Sequence, residues 1–101
     1  MLQPTERTVA VIHRLFAEAD HGVVAELLAT RCGVNLPLTA AWGDAEFERV
    51  WFAVLKLSGG DVGKLHEAVG HAQRDWRDVL VWSGFGNSLE AHHHWVRTLQ
   101  A

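Results

Sequence analysis

One segment of this chain, DAEFERVWFAVLKLS at residues 44 to 58, is apolar around almost its whole circumference. Asp44 can cap its start and Gly59 can end it. Its apolar residues recur at helical spacing, and Phe52 and Ala53 extend the apolar surface beyond one stripe. A helix of this kind must be covered on more than one side, because its faces cannot remain in water. We therefore expect this helix to lie at the centre of a helical domain.

Four further segments, at 4–20, 22–32, 61–83 and 87–99, show the 3.6-residue apolar period of amphipathic helices. The chain lacks the strict alternation typical of strands, and it has no internal repeat and no low-complexity linker. The sequence therefore predicts an all-α fold, a compact single-domain bundle of five or six helices over residues 1–101.

The helix count depends on segment 61–83, for which two interpretations stay open. Its apolar residues remain in phase at about 100° per residue, which favours one long helix. Asp75, with Asp78 three residues later, resembles a capping box and favours the start of a second helix at this point. The prediction leans towards a break or kink near Arg74.

The charge balance argues against a nucleic-acid partner. The net charge is −3, and the nine Lys and Arg residues are scattered instead of forming a basic face. A helix-turn-helix arrangement over 23–58 is conceivable and would imply DNA binding. Its second helix, however, would use nearly all of its surface for core packing instead of groove contacts.

The chain shows no signal-peptide pattern, and its longest apolar run, at 50–55, is far too short to cross a membrane. Its single cysteine, Cys32, excludes an intrachain disulfide and fits a reducing compartment. Cys32 falls in an apolar helical pattern, so a buried thiol is expected. These features predict a cytoplasmic protein without a membrane partner.

The stretch LEAHHHWV, at 89–96, carries three consecutive histidines. Consecutive helical residues point about 100° apart, so the three cannot all converge on one ion. His92 shares the apolar face of its helix, His93 lies at the border, and His94 points to solvent. The simplest interpretation is one half-buried histidine with a hydrogen-bond partner and two surface histidines.

A metal site would need ligands from a second helix. Glu90 and His93 have the Glu-x-x-His spacing that helical bundles use for metals. HEAVGH offers His66 and His71, five residues apart, which is not the four-residue spacing of HExxH. The sequence thus admits a divalent metal held by a subset of five residues: His92, His93, His66, His71 and Glu90.

The five tryptophans divide into two groups. Trp51 and Trp76 belong to core stripes, whereas Trp42, Trp82 and Trp95 lie off the centres of their stripes. Off-stripe aromatic residues often line a groove or an oligomer interface, although a small core can also use them for packing. Trp42, Trp82 and Trp95 are therefore candidate interface residues.

The run AVLKLSGGDVGKLHEAVGHAQRDWRDVLVW, at 53–82, resembles the pattern AVLKL..GD...L...V..A..D[WY]RDVL of short uncharacterised bacterial proteins. The resemblance covers about a third of the chain. It implies a bacterial, cytoplasmic origin and carries over no functional residue.

Together these features favour a small non-enzymatic interaction module that binds a second copy of itself, as a homodimer, or another protein. No cofactor is expected under this hypothesis. The alternative is a metal-binding protein or metal-dependent enzyme that uses helix-borne His and Glu residues. DNA binding through a helix-turn-helix is the third hypothesis.

Overall fold

The computed structural model describes residues 3–33, 35–86 and 90–100, and the regular structure within these ranges is entirely helical. The described chain forms five α-helices, with a 3-10 turn at Glu18–Asp20 after the first: α1 Glu6–Leu15, α2 His21–Arg31, α3 Asp44–Ser58, α4 Val62–Ser83 and α5 Ala91–Gln100. They pack into a body of 32 × 25 × 22 Å. The predicted all-α bundle is confirmed.

Helix α3 is the centre of the bundle, as its apolar circumference predicts. Its six consecutive residues 50–55 have no exposed surface. Helix α4 is its main neighbour, and α1 and α5 also pack against it. The indole Nε1 of Trp51 donates to the carbonyl of Cys32 at 2.7 Å, so the end of α2 is bound to the buried face of α3.

The cap of α3 and the start of α1 differ from the sequence-based expectation. The N-cap residue of α3 is Gly43, whose N–H donates to the Glu46 side chain at 2.9 Å, and Asp44 is the first helical residue instead of the cap. Helix α1 starts after Thr5, whose hydroxyl accepts from the Thr8 N–H, so Pro4 precedes the cap. The capped start of α1 brings Thr5 towards α3.

The predicted helix at 4–20 is divided. Phe16 has extended backbone angles, φ −114° and ψ 152°, and this ends α1. Its side chain is thereby buried in the core, and the imidazole Nε2 of His21 lies 2.9 Å from its carbonyl. Burial of this ring outweighs continuation of the helix.

Helix α4 contains the break that the capping pattern predicts. Asp75 has φ −160° and ψ 103°, which are not helical values. Its carboxylate accepts from the Arg77 N–H at 3.0 Å and from the Arg77 guanidinium, so the second half of α4 has a cap of its own. The kink turns Trp76 towards the chain segment before α3, where its indole donates to the Pro37 carbonyl at 2.8 Å.

Helix α5 begins at Ala91, and the start of the predicted segment 87–99 lies outside the described residues. Across the described ranges, no helix combines the length and apolarity that a membrane crossing requires.

Candidate functional site

The candidate site is built around a carboxylate buried in the central helix. Glu48 lies on α3 in phase with Phe52 and Leu55, both of which have no exposed surface. Glu48 itself is 2 % exposed. A buried ionised carboxylate is costly unless it is paired and hydrogen-bonded, so its surroundings must supply a cation or donors.

Two residues at the start of α1 supply these partners. The Thr5 hydroxyl donates to Oε2 of Glu48 at 2.5 Å, and Nη2 of Arg7 donates to Oε1 at 2.7 Å. Since the Thr5 proton is used in this bond, the buried Thr8 hydroxyl, 2.8 Å away, donates to Thr5 in turn. The N-terminal cap of α1 is thus bound to the carboxylate of α3.

The first turn of α5 brings two imidazoles to the same carboxylate. Nε2 of His92 lies 3.6 Å from Oε1 of Glu48. The rings of His92 and His93 are neighbours, with centroids 4.1 Å apart. Two consecutive histidines therefore converge on one carboxylate, while the third, His94, is exposed.

His92 is buried and neutral around pH 7. It is 3 % exposed and packs edge-on to the Phe52 ring at 5.2 Å. Burial, followed by the adjacent His93, lowers the pKa of His92 to about 4, although Glu48 acts in the opposite direction. Its Nε2 faces Glu48, whereas its Nδ1 is buried and has no hydrogen-bond partner among the residues that the structure describes.

The contact with Arg7 identifies the hydrogen-bonding role of Nδ1 of His93. Nη1 of Arg7 lies 3.3 Å from Nδ1 of His93. A guanidinium can only donate, so Nδ1 of His93 must be the acceptor and carries a lone pair. That lone pair points to the same guanidinium that binds Glu48.

Glu48, His92 and His93 together form a group of three side chains that could hold a metal ion. One ligand atom from each lies within 4.8 Å of the other two. Two imidazoles and one carboxylate are a recurrent ligand set for zinc and for non-haem iron. Arg7 now provides the positive charge at this position.

The structure places the other three predicted ligands elsewhere. His66 is exposed on α4 and lines a separate shallow pocket with Leu27 and Arg31. His71 lies edge-on to the Trp82 ring, 5.0 Å from it. Glu90 is exposed before α5 and lines the surface outside the His93 ring. Among the described residues, none of these three belongs to a group of three possible ligands.

The three candidate interface tryptophans also have different surroundings. Trp42 is half-buried and contacts Trp76 edge-on at 4.6 Å. Trp95 is half-buried against the core, where it approaches Phe85. Trp82 is 54 % exposed beside Val81, which is 67 % exposed.

Glu48, Arg7 and Thr5 are not identified as site residues by the sequence analysis. The burial of Glu48 could have been predicted from the sequence, because it is the one carboxylate of α3 in phase with both Phe52 and Leu55. Arg7 and Thr5 had no comparable signal, since their roles depend on how α1 crosses α3.

No protein-family model, curated protein or solved structure matches this chain.

Proposed function

We propose that this protein binds a divalent transition-metal ion, with zinc as the best fit, through Glu48, His92 and His93. The observation that carries the proposal is the convergence of three buried or half-buried ligand atoms within 4.8 Å. Zinc sites with three protein ligands of the His₂Glu type keep a fourth position for water or a second ligand.

The distances favour a tetrahedral ion. Ligand atoms at 2.0–2.2 Å from a tetrahedral centre are about 3.4 Å apart. The 3.6 Å separation of His92 Nε2 and Glu48 Oε1 is close to this value. The widest separation in the group requires a side-chain movement of roughly 1 Å before all three ligands can reach one ion. His93, which is half-buried on the outer side, has room for that movement.

Arg7 is the cation of the metal-free state. Its guanidinium contacts Glu48 and His93, two of the three proposed ligands. Its side chain is 60 % exposed, so it can leave this position towards solvent while an ion enters. The buried Glu48 carboxylate needs a positive charge nearby. Metal binding thus replaces the Arg7 guanidinium by a metal ion as the source of that charge.

Zinc titration of untagged protein tests the proposal. The protein is purified without immobilised metal, treated with EDTA and dialysed, then titrated with zinc chloride by calorimetry. We expect one ion per chain, confirmed by native mass spectrometry. Glu48→Gln and His93→Ala should each weaken binding about 100-fold or more. His94→Ala, a neighbouring histidine that is exposed, is the matched control and should bind zinc like the wild type.

A fourth variant, Arg7→Met, distinguishes a metal site from a purely structural cluster. Arg7→Met removes the competing cation and should increase zinc affinity. If Arg7→Met binds no zinc, or if His94→Ala loses as much affinity as His93→Ala, the proposal is wrong.

A second function, self-association, is supported by a different surface. Val81 and Trp82 are adjacent on α4 and are both exposed. Large exposed apolar side chains are enriched at protein interfaces, and tryptophan especially so. We propose that this pair is the contact by which the protein forms a dimer or binds another protein.

Sedimentation velocity at tens of micromolar tests the second function. A dimer that Trp82→Ser dissociates would support it. Leu38→Ser is the control, because Leu38 is 81 % exposed in the segment between α2 and α3. A monomeric wild-type protein would contradict self-association through this surface.

A further inference from the structure

A cavity of about 260 Å³ lies beside Glu48, His92 and His93, and one of its walls is apolar. Trp42 and Trp76 line it together with Val50 and Leu80. The two indoles meet nearly at right angles, with an interplanar angle of 67° and centroids 4.6 Å apart. This wall offers flat aromatic and aliphatic surface to a small ligand.

Arg49 brings a positive charge to the same cavity. Its Nη2 donates to the Phe85 carbonyl at 2.6 Å, which fixes the guanidinium against the segment after α4. Within the described part of the chain, its Nε is buried and has no hydrogen-bond partner. Among the residues that the structure describes, no carboxylate lies within ion-pair distance of Arg49.

The other charges on the cavity wall are already engaged. Arg7 pairs with Glu48 at 2.7 Å, and the Glu46 carboxylate accepts from the Gly43 N–H. Burial lowers the pKa of Arg49, which reflects the cost of holding this guanidinium out of water. Within the described residues, the half-buried guanidinium of Arg49 therefore has no anionic partner for its positive charge.

We propose that this cavity binds a small aromatic carboxylate. The carboxylate pairs with the guanidinium of Arg49, and the ring packs against Trp42, Trp76 and Leu80. The volume lies just below the roughly 300–1,000 Å³ of pockets for drug-sized ligands, which restricts the ligand to one or two rings. A neutral amide of the same shape would leave the arginine charge uncompensated, so the site should discriminate between the two.

This inference does not depend on the metal proposal, and its test uses EDTA-treated protein. Calorimetry compares benzoate and indole-3-carboxylate with benzamide and indole-3-carboxamide. We expect each acid to bind at least tenfold more tightly than its amide. In ¹⁵N spectra, the indole N–H signals of Trp42 and Trp76 should shift on addition of acid, while that of the exposed Trp82 should not.

Two variants on α3 assign the preference to one residue. Arg49→Gln should abolish the discrimination between acid and amide. Lys56→Gln is the matched control, since Lys56 also lies on α3 and donates to a nearby carbonyl, that of Ser83 at 2.7 Å, but does not line the cavity. Circular dichroism of both variants verifies folding.

Three results would overturn the inference: no binding of either acid at millimolar concentration, equal affinities for acid and amide, or shifts confined to Trp82. If Arg49→Gln proves unfolded, Arg49→Lys serves instead. It keeps the charge without the planar guanidinium and should reduce the preference for the acid at least threefold.

Discussion

Arg7 of α1 and Glu48 of α3 form an ion pair of 2.7 Å in which only one partner is buried: the Glu48 side chain is 3 % exposed and that of Arg7 is 60 % exposed. The pair joins the N-terminal helix to the central helix. The guanidinium covers a carboxylate that water hardly reaches. Its removal would leave Glu48 buried without a compensating positive charge, which destabilises the fold.

Replacement of this guanidinium should therefore destabilise the metal-free protein. For Arg7→Met we expect a loss of about 1–3 kcal/mol in the free energy of unfolding, measured by urea denaturation in EDTA. Arg77→Met is the control, since the Arg77–Asp75 pair is largely exposed. Its effect should be clearly smaller, and equal effects would contradict the role given to the Arg7–Glu48 pair.

The buried His92 should make stability depend on pH. Its pKa is about 4 in the folded protein, below its ordinary value of 6.5. Between these two values the unfolded chain binds a proton that the folded chain does not, so stability falls as pH falls from 6.5 to 4. The loss attributable to His92 is about 3 kcal/mol at the acid end of this window.

Urea denaturation at several pH values in EDTA measures this effect. The pH dependence of His92→Gln should be shallower than that of the wild type in the same window. All other histidines are common to both proteins, so equal slopes would show that His92 is not the group responsible.

Cys32 should be chemically inert in the native protein. It has no exposed surface, and burial raises the pKa of its thiol to about 12. Only the thiolate is a nucleophile, so both accessibility and ionisation oppose reaction. With Ellman's reagent at pH 8 we expect negligible colour before unfolding and one equivalent in 6 M guanidinium chloride. Rapid native reaction would contradict this placement.

Two glycines should respond to alanine in opposite ways. Gly60 has φ +90°, and a Cβ there would collide with the Leu15 carbonyl oxygen. Gly60→Ala should therefore cost about 2 kcal/mol or more. Gly70 lies inside α4 with nothing near its missing Cβ, so Gly70→Ala should stabilise the protein by about 0.5–1 kcal/mol. Thermal and urea unfolding measure both, and destabilisation by both changes would contradict this pair of expectations.

The helical architecture follows from the amino-acid sequence alone, because helix period and capping chemistry are local properties. The boundaries of α3, its position in the core and the break at Asp75 all follow from spacing within one segment. The end of α1 at Leu15 did not follow, since it depends on the burial of Phe16 against other helices.

Which polar residues come into contact depends on how the helices pack. His92 and His93 were visible as candidate ligands, but their partner Glu48 is 44 positions earlier and comes into contact only when α5 packs on α3. Arg7 contacts both helices for the same reason. Arg49 is a candidate ligand-binding residue because no carboxylate pairs with it among the described residues, and no spacing pattern can predict that absence. Ion pairs and cavities arise from helix crossings, and those depend on the packing of the whole core.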